Sequence, residues 1–344
     1  MYLAANPRQS RNTGDRFVAP SSCWATTRPP STTTNSHSCS ERNAAHPRLA
    51  QRLAANRNRV SSPAHAQTTR SDVVDYETVK ATPLLSMLWE SADPEEALSQ
   101  RFGFADAISA ADWIGDTLWN TWAITVDDCD RLVISAGNLL AWITTEDKRL
   151  VAKWSVVPKL FQRLADTTAL TMWLHDNGIP VAAPIPARDG RLRVELNNVS
   201  LGVFPVIEGN LLDVRDPAQV TEAGRMLATL HEAMAAYPHH IDGGPAAPRR
   251  QLVHNDFRSA NLLHDGTSIT AVLDFEEVIY RSRVSDLAKA TVLLGTRYHN
   301  WGPTTQHVRE AFVEAYCDQS PLTSAEQNHL KTGIDAVIQH FGWT

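Results

Sequence analysis

Short apolar runs separated by polar turns begin near residue 130, and this pattern predicts a small β-sheet. Three such runs predict strands at residues 131–135, 139–143 and 150–154. The first two are joined by Ser135-Ala136-Gly137-Asn138, a tight-turn sequence. A helix is predicted from about residue 160 to residue 177, where Gly178 and then Pro180 end it.

The pattern continues with a hairpin and then changes to helical spacing. Residues 191–196 and 199–207 flank Asn197-Asn198, a pair that suits a two-residue turn with positive φ. Beyond Asp216, apolar residues recur at the spacing of one helix face. They are Met226, Leu227, Leu230 and Met234.

Two helices are predicted upstream of the sheet. Asp93-Pro94 is typical of a helix start, and a second helix carries an apolar stripe that we interpret as core. That stripe consists of Trp113, Ile114, Leu118 and Trp122. The order of elements predicts an α+β fold with a small β-rich lobe and a larger, mainly helical lobe, divided near residues 208–210.

The first 70 residues differ in composition from the rest of the chain. They hold ten Arg, no Lys and only two acids, and they are rich in Ser, Thr, Asn and Pro. Such a segment buries too little apolar surface to offset its ordering entropy, so we predict disorder. Three interpretations are open: an organelle transit peptide, a basic arm for anions, or a reading frame that starts too early. We favour the last.

Charge and cysteine usage narrow the classes of function. The chain carries 32 basic and 38 acidic residues, so residues 71–344 carry 22 and 36, a net charge of −14. Such an acidic body disfavours nucleic acid as a partner. The four cysteines show no metal or disulfide spacing, and no apolar run is long enough to span a bilayer. We therefore expect a cytoplasmic protein without a membrane partner; its oligomeric state is not predicted.

Candidate chemistry is concentrated between residues 252 and 277. A short apolar run leads into His254-Asn255-Asp256, with Asn261 five residues after the aspartate, and a second run leads into Asp274. Asp265-Gly266 between them predicts a tight turn that brings Asp256, Asn261 and Asp274 to one mouth. Carboxylate and amide oxygens suit Mg²⁺, and phosphoryl transfer requires both Mg²⁺ and a carboxylate that orients the attacking hydroxyl.

The combined motif resembles that of a known enzyme family. His254-x-Asp256 with Asn261, followed by Asp274-Phe275-Glu276, is similar to the aminoglycoside phosphotransferase and choline/homoserine kinase-like superfamily, which has a protein-kinase-like fold. The resemblance covers roughly residues 130–344. It implies a nucleotide-binding lobe within residues 71–208, preceded by an N-terminal extension, and a catalytic, substrate-binding lobe over residues 209–344.

The resemblance also implies roles for single residues. Asp256 would be the catalytic base, and His254 would hold the catalytic loop. Asn261 and Asp274 would bind Mg²⁺. The positions that correspond to nucleotide contacts are Lys153 for the phosphates, Ser135 and Asn138 in the phosphate-covering turn, and Pro205 and Ile207 in the hinge beside adenine.

The implied function is a kinase that moves the γ-phosphate of ATP to a hydroxyl of a small molecule, with GTP not excluded. An amino alcohol, a homoserine-like metabolite, a sugar or an aminoglycoside-type antibiotic would fit as the acceptor. Two assignments stay open. Arg258 either approaches the γ-phosphate or pairs with Glu276. Glu276 and Glu277 either contact the metal or a cationic acceptor at the mouth of the site, or are merely solvated.

One departure from the family pattern puts activity in question. The helix after Lys153 normally supplies a glutamate partner for that lysine, yet residues 164–170 contain none. Asp166 is a shorter substitute. If Lys153 lacked a partner, the alternative function would be an idle nucleotide-binding or regulatory protein on the same fold.

Overall fold

The computed structural model describes residues 81–241 and 250–343, so the predictions for residues 1–70 lie outside the described part of the chain. The helices in order are α1 (Pro94–Ala97), α2 (Ala107–Trp122), α3 (Phe161–Asp176), α4 (Pro217–Ala235), α5 (Arg283–Leu293), α6 (Gln306–Gln319) and α7 (Ser324–His340). The strands are β1 (Leu84–Met87), β2 (Asp128–Ser135), β3 (Asn138–Thr144), β4 (Arg149–Ser155), β5 (Val194–Leu196), β6 (Val199–Pro205), β7 (Asn210–Leu211), β8 (Gln251–Val253), β9 (Leu262–His264), β10 (Ile269–Val272) and β11 (Ile279–Arg281).

The six strands β1 to β6 form one sheet in the order β1-β2-β3-β4-β6-β5. All neighbours are antiparallel except β1 and β2. Because successive side chains alternate between faces, β2, β3 and β4 each contribute to two apolar clusters. On one face Leu132, Ile134 and Trp154 join the buried stripe of α2. The opposite face carries a smaller cluster of Val133, Leu140, Trp142 and Val151.

The described structure confirms the predicted α+β fold, and most predicted elements are present to within a few residues. Asn197 and Asn198 have φ of 51° and 63°, as the turn between β5 and β6 requires. The strand predicted from residue 191 begins only at Val194, because the Asp189 carboxylate accepts the Arg191 N–H at 3.1 Å and holds a turn there. The helix predicted at Asp93-Pro94 is one α-turn, followed by the π-helical turn Leu98–Phe102.

The helical part packs around a second core, to which α3 to α7 all contribute. Two small sheets complete it, β10-β9-β7 and β11-β8. Helices α4 and α6 approach closely at Gly224, where a methyl group would lie 2.4 Å from the Phe312 carbonyl oxygen and 2.9 Å from Ala315 Cβ. No helix within residues 81–241 and 250–343 is long and apolar enough to cross a membrane.

Two glycine-to-alanine substitutions in helix interiors are expected to change stability in opposite directions. Gly224→Ala overpacks the contact between α4 and α6 and should lower the free energy of unfolding by about 1–3 kcal/mol. Gly115→Ala in α2 meets no atom closer than Val126 Cβ at 4.0 Å and should raise it by roughly 0.5–1 kcal/mol. Urea denaturation measures both; equal shifts would contradict the packing described here.

The start of α7 is tied to α5 by an ion pair with a predictable pH dependence. Arg283 Nε lies 3.0 Å from Glu326 Oε1, and this pairing lowers the pKa of Glu326 to about 2, from an ordinary value of 4.5. The folded-state pKa is depressed, so the pair stabilises above pH 4.5, and this contribution is lost as the pH falls toward 2. The thermal midpoint of Glu326→Gln should therefore lie below that of the wild type at pH 7. That gap should narrow steadily as the pH falls toward about 3; a gap independent of pH would refute the assignment.

Candidate active site

His254 holds the loop between β8 and β9 from within the core. Its side chain is wholly buried; Nε2 lies 2.9 Å from the Leu273 carbonyl oxygen, and the Asp256 N–H donates to Nδ1 at 3.2 Å. A ring that accepts at Nδ1 and donates from Nε2 is neutral, and burial lowers the pKa of His254, which agrees with that state. His254 thus joins the catalytic loop to the residue before Asp274.

The Asp256 carboxylate is held on both sides. Its Oδ1 accepts from Arg258 Nε at 2.9 Å, and its Oδ2 accepts from Asn261 Nδ2 at 2.8 Å. Arg258 therefore pairs with Asp256 and not with Glu276. Its guanidinium lies over the Trp301 ring, 5.2 Å from the ring centroid, and its Nη1 is buried without a hydrogen-bond partner. A carboxylate fixed in this way keeps one orientation toward the mouth of the site.

Asp274 follows β10 in a conformation that few residues adopt. Its φ is 62°, in the left-handed region, and such strain is concentrated at functional sites. The hydrogen bond from the Leu273 N–H to the Asn261 carbonyl oxygen, at 2.8 Å, fixes it beside the catalytic loop. Burial acts to raise the pKa of Asp274, but the Lys153 ammonium holds it well below its ordinary value. Asp274 is therefore ionised at neutral pH.

Lys153 joins the sheet to the loop after β10. Its Nζ lies 3.3 Å from Asp274 Oδ1 and forms a second salt bridge with Glu276 Oε1. Glu276 thus supplies the carboxylate that the sequence of α3 lacks. Asp166 is not a partner of Lys153; it accepts instead from Gln162 at 2.8 Å on the helix surface.

Helix α3 contacts the same loop through a cation. Arg163 donates to the backbone carbonyl oxygens of Glu276, at 3.0 Å, and of Val278. The second oxygen of the Glu276 carboxylate accepts from Asn138 Nδ2 at 3.3 Å. Glu276 is therefore the point where α3, the turn after β2 and Lys153 meet. Sequence reasoning missed this role, although the absence of a glutamate in α3 was the signal that another residue had to supply it.

The turn Ser135–Asn138 is held from outside by the segment after β1. The Glu90 carboxylate accepts the Ala136 N–H at 3.0 Å and pairs with Arg101 at 2.8 Å, while Trp89 Nε1 donates to Ser135 Oγ at 3.0 Å. Ala136 has a φ of 49°, as expected for a tight hairpin turn. The segment after β1 therefore fixes the position of this turn. The sequence predicted the turn but not its contacts with that segment.

The predicted hinge follows β6, and its side chains alternate between two apolar clusters. Val206 packs against the sheet cluster of Val133, Leu140, Trp142 and Val151. Phe204 and Ile207 pack against a separate cluster that includes Leu263 of β9. Pro205 ends β6 opposite Leu150.

A cavity lies between the sheet, α3 and the loop after β10. Lys153, Arg193, Asp274 and Glu276 give it four charged groups, and Leu140, Phe204 and Leu273 supply apolar walls. The cavity is thus lined both by Lys153, the predicted phosphate contact, and by Asp274, a predicted metal ligand. Ser135, Pro205, Ile207 and Asp256 are not among the residues that line it.

Asn261 and Asp274 can hold a hard divalent cation. The Asn261 amide nitrogen faces Asp256, at 2.8 Å from both its backbone carbonyl oxygen and its Oδ2, so the amide oxygen points away from that carboxylate. Among residues 81–241 and 250–343 no group of three or more His, Cys, Asp and Glu side chains could close around a metal ion. The amide oxygen of Asn261 and the carboxylate of Asp274 are the kinds of hard ligand that Mg²⁺ takes.

Beneath the catalytic loop, Asp286 of α5 fixes the backbone. Its two oxygens accept the Asn255 N–H at 3.0 Å and contact His231 Nε2 at 3.0 Å, and His231 Nδ1 contacts the Tyr316 hydroxyl at 2.9 Å. Burial alone would raise the pKa of Asp286, but the hydrogen bond to His231 holds it below its ordinary value. Asn255 has a φ of 64°, so this anion stabilises a strained residue next to Asp256.

Comparison with known proteins agrees with this geometry. The model of the phosphotransferase enzyme family matches residues 232–327, which include Asp256, Asn261, Asp274 and Asp286. Residues 232–327 are therefore similar to that family. The match confirms the resemblance predicted from the sequence and the class of enzyme, a phosphotransferase. A search of curated protein sequences found no match.

Solved structures show the same fold. A microcompartment-associated aminopropanol kinase superposes with a TM-score of 0.51 at 17% identity, over 67% of this chain and 88% of that one. Spectinomycin phosphotransferase, in complex with ADP and spectinomycin, gives 0.49 at 14% identity, over 67% and 87%. A macrolide 2′-phosphotransferase from Brachybacterium faecium gives 0.48 at 17% identity, over 65% and 89%. The conclusion on the fold rests on the aminopropanol kinase.

Removing the charge of Asp286 should destabilise the protein. Asp286→Asn leaves His231 and the strained Asn255 without their anionic partner in the core and should lower the free energy of unfolding by about 3 kcal/mol. Asp318→Asn, at an exposed position of α6, is the matched control and should change it by less than about 0.5 kcal/mol. Chemical denaturation distinguishes them, and equal effects would show that Asp286 does not stabilise the loop.

Proposed function

We propose that this protein transfers the γ-phosphate of ATP to a hydroxyl group of a small molecule. The observation that carries the proposal is that two carboxylates are each held by another side chain of the site. Asp274 forms a salt bridge with Lys153 of the sheet, and Asp256 accepts a hydrogen bond from Asn261. One carboxylate beside a cation and a second beside an amide match the two tasks of phosphoryl transfer, which are to hold the nucleotide and to orient the nucleophile.

Asp256 is the proposed base. Its carboxylate, oriented by Arg258 and Asn261, accepts the proton of the acceptor hydroxyl as the oxygen forms its bond to the γ-phosphorus. The bond between that phosphorus and the oxygen bridging to ADP breaks in the same step, so the products are a phosphate monoester and ADP. Arg258, with its unpartnered Nη1, is proposed to stabilise the charge that develops on the transferred group.

The nucleotide is held by residues of both lobes in this proposal. Lys153 contacts the phosphates, and the turn with Ser135 and Asn138 covers them. Backbone groups of Pro205 and Ile207 face the adenine. Asn261 and Asp274 would hold Mg²⁺, which would supply positive charge to the nucleotide phosphates. The domain division at residue 208 is part of the same proposal.

An amine-bearing alcohol is the acceptor class we propose. Glu277, one residue beyond the Lys153 partner, is exposed, and the body of the chain is strongly acidic. Both favour a cationic acceptor. The solved relative with the same fold is named as a kinase of aminopropanol, an amino alcohol. Sugars, homoserine and aminoglycosides are the other members of the test panel.

The idle-protein alternative depended on a Lys153 without a carboxylate partner. Lys153 forms salt bridges with both Asp274 and Glu276, so that observation no longer favours it. The catalytic carboxylate and both proposed metal ligands are also present. No other observation supports an idle fold, and we propose activity alone.

The full chain should release ADP from ATP and Mg²⁺ in a coupled assay when one acceptor of the panel is added. Asp256→Ala should reduce that rate by about 10³-fold or more, because the base and the orientation of the nucleophile are both lost. Nucleotide affinity should change little. Asp335→Ala, at an exposed position of α7, serves as the control and should keep the wild-type rate. Near-normal turnover by Asp256→Ala would contradict the proposed role.

A further inference from the structure

Arg193 is a buried cation that the family motif does not explain. It lies just before β5 and is only 8% exposed. Its guanidinium donates from Nε to Ser200 Oγ at 2.7 Å and from Nη2 to the Ser200 carbonyl oxygen at 3.0 Å. Both partners are uncharged, so these bonds fix the position of the guanidinium without neutralising it.

The fold makes room for this guanidinium beside Lys153. Gly202 on β6 is the direct partner of Lys153 on β4, and a Cβ at Gly202 would lie 3.1 Å from Arg193 Nη1. A Cβ there would force the guanidinium to shift by a few tenths of an ångström. Arg193 and Lys153 line the same cavity, together with Asp274 and Glu276. Two cations, one on β4 and one just before β5, therefore share this cavity with two carboxylates from the loop after β10.

Lys153 and Arg193 differ in the ion pairs that they form. Lys153 forms salt bridges with both carboxylates, whereas Arg193 forms none with any carboxylate of the described residues. Arg163, the other nearby cation, donates to backbone carbonyl oxygens of the loop. Burial lowers the pKa of Arg193 to about 10, against the opposing effect of Glu276, so the side chain keeps its charge at neutral pH. A buried guanidinium that has only neutral partners is costly unless another state supplies an anion.

Nucleotide binding changes what Lys153 and Asp274 contact. In the proposed function Lys153 turns to the phosphates and Asp274 binds Mg²⁺. Glu276 then loses its main cation while it remains largely enclosed between α3 and the sheet. An unpaired carboxylate in that position would oppose nucleotide binding. Arg193 is the cation of the same cavity that forms no salt bridge of its own among the described residues.

We propose that Arg193 is a positioning residue which receives the Glu276 carboxylate when Lys153 turns to the nucleotide phosphates. This inference rests on the proposed function, because it needs a nucleotide at Lys153. Arg193 touches no reacting atom. By pairing with Glu276, Arg193 lowers the free-energy cost of separating Lys153 from that carboxylate.

Titration calorimetry of the full chain with ADP and Mg²⁺ tests the exchange without any acceptor. Arg193→Met should weaken ADP binding about tenfold, because Lys153 then has to leave Glu276 without a cation. Arg193→Lys should restore most of the affinity. Arg191→Met is the matched control: Arg191 is exposed, pairs with Asp189 and should leave affinity unchanged.

The decisive comparison repeats the substitution in the Glu276→Gln background. The neutral amide introduced there needs no counterion, so Arg193→Met should weaken ADP binding in that background by less than about twofold. An equal loss in both backgrounds would mean that Arg193 acts only through the sheet, and it would overturn the inference. So would unchanged affinity in Arg193→Met alone.

If Arg193→Met does not fold, as judged by its thermal unfolding, Arg193→Gln, which removes the charge but can still hydrogen-bond to Ser200, gives the same comparison in the two backgrounds. A loss of affinity in the presence of Glu276 that disappears in the Glu276→Gln background supports the inference, and any other pattern overturns it. Failure of the wild-type chain to bind ADP would instead contradict the proposed function. The two failures are therefore distinguishable.

Discussion

The contact of Lys153 with Asp274 and Glu276 is the interaction on which the rest of the site depends. It joins a lysine in the middle of the six-stranded sheet to the loop after β10. The charges are mostly removed from water, so each would be costly alone and is stabilised only as part of the group. The position of the sheet relative to Asp274 is thereby set by electrostatics as well as by packing.

The supports of this contact come from several parts of the chain. Arg163 of α3 holds the backbone of the loop, Asn138 holds the Glu276 carboxylate, and Asp286 holds the catalytic loop from below. Strained backbone at Asn255 and Asp274 is tolerated because these neighbours determine its conformation. The site is therefore preorganised by residues far apart in sequence, a requirement for catalysis that relies on position and charge.

Much of this could be predicted from the sequence, and the reasons are local. Short apolar runs between polar turns predicted the strands around Lys153, paired asparagines predicted the turn after β5, and the motif from His254 to Asp274 placed the carboxylates near each other. The partner of Lys153 could not be predicted in the same way. Glu276 lies 123 positions from Lys153, and its choice depends on how the loop after β10 meets the sheet, which no local pattern encodes.

The same limit applies to β1 and to the Glu90–Arg101 pair, because a parallel strand at a sheet edge and a contact to a turn both depend on tertiary packing.

The central claim is that a phosphoryl group is transferred from ATP to a carbon-bound oxygen. ³¹P NMR of the full chain with ATP, Mg²⁺ and a mixture of amino alcohols tests it directly. A phosphate monoester resonance that grows in step with ADP, and is absent with Asp274→Asn, is the predicted result. Bound ATP that yields either no product or only inorganic phosphate would contradict the account.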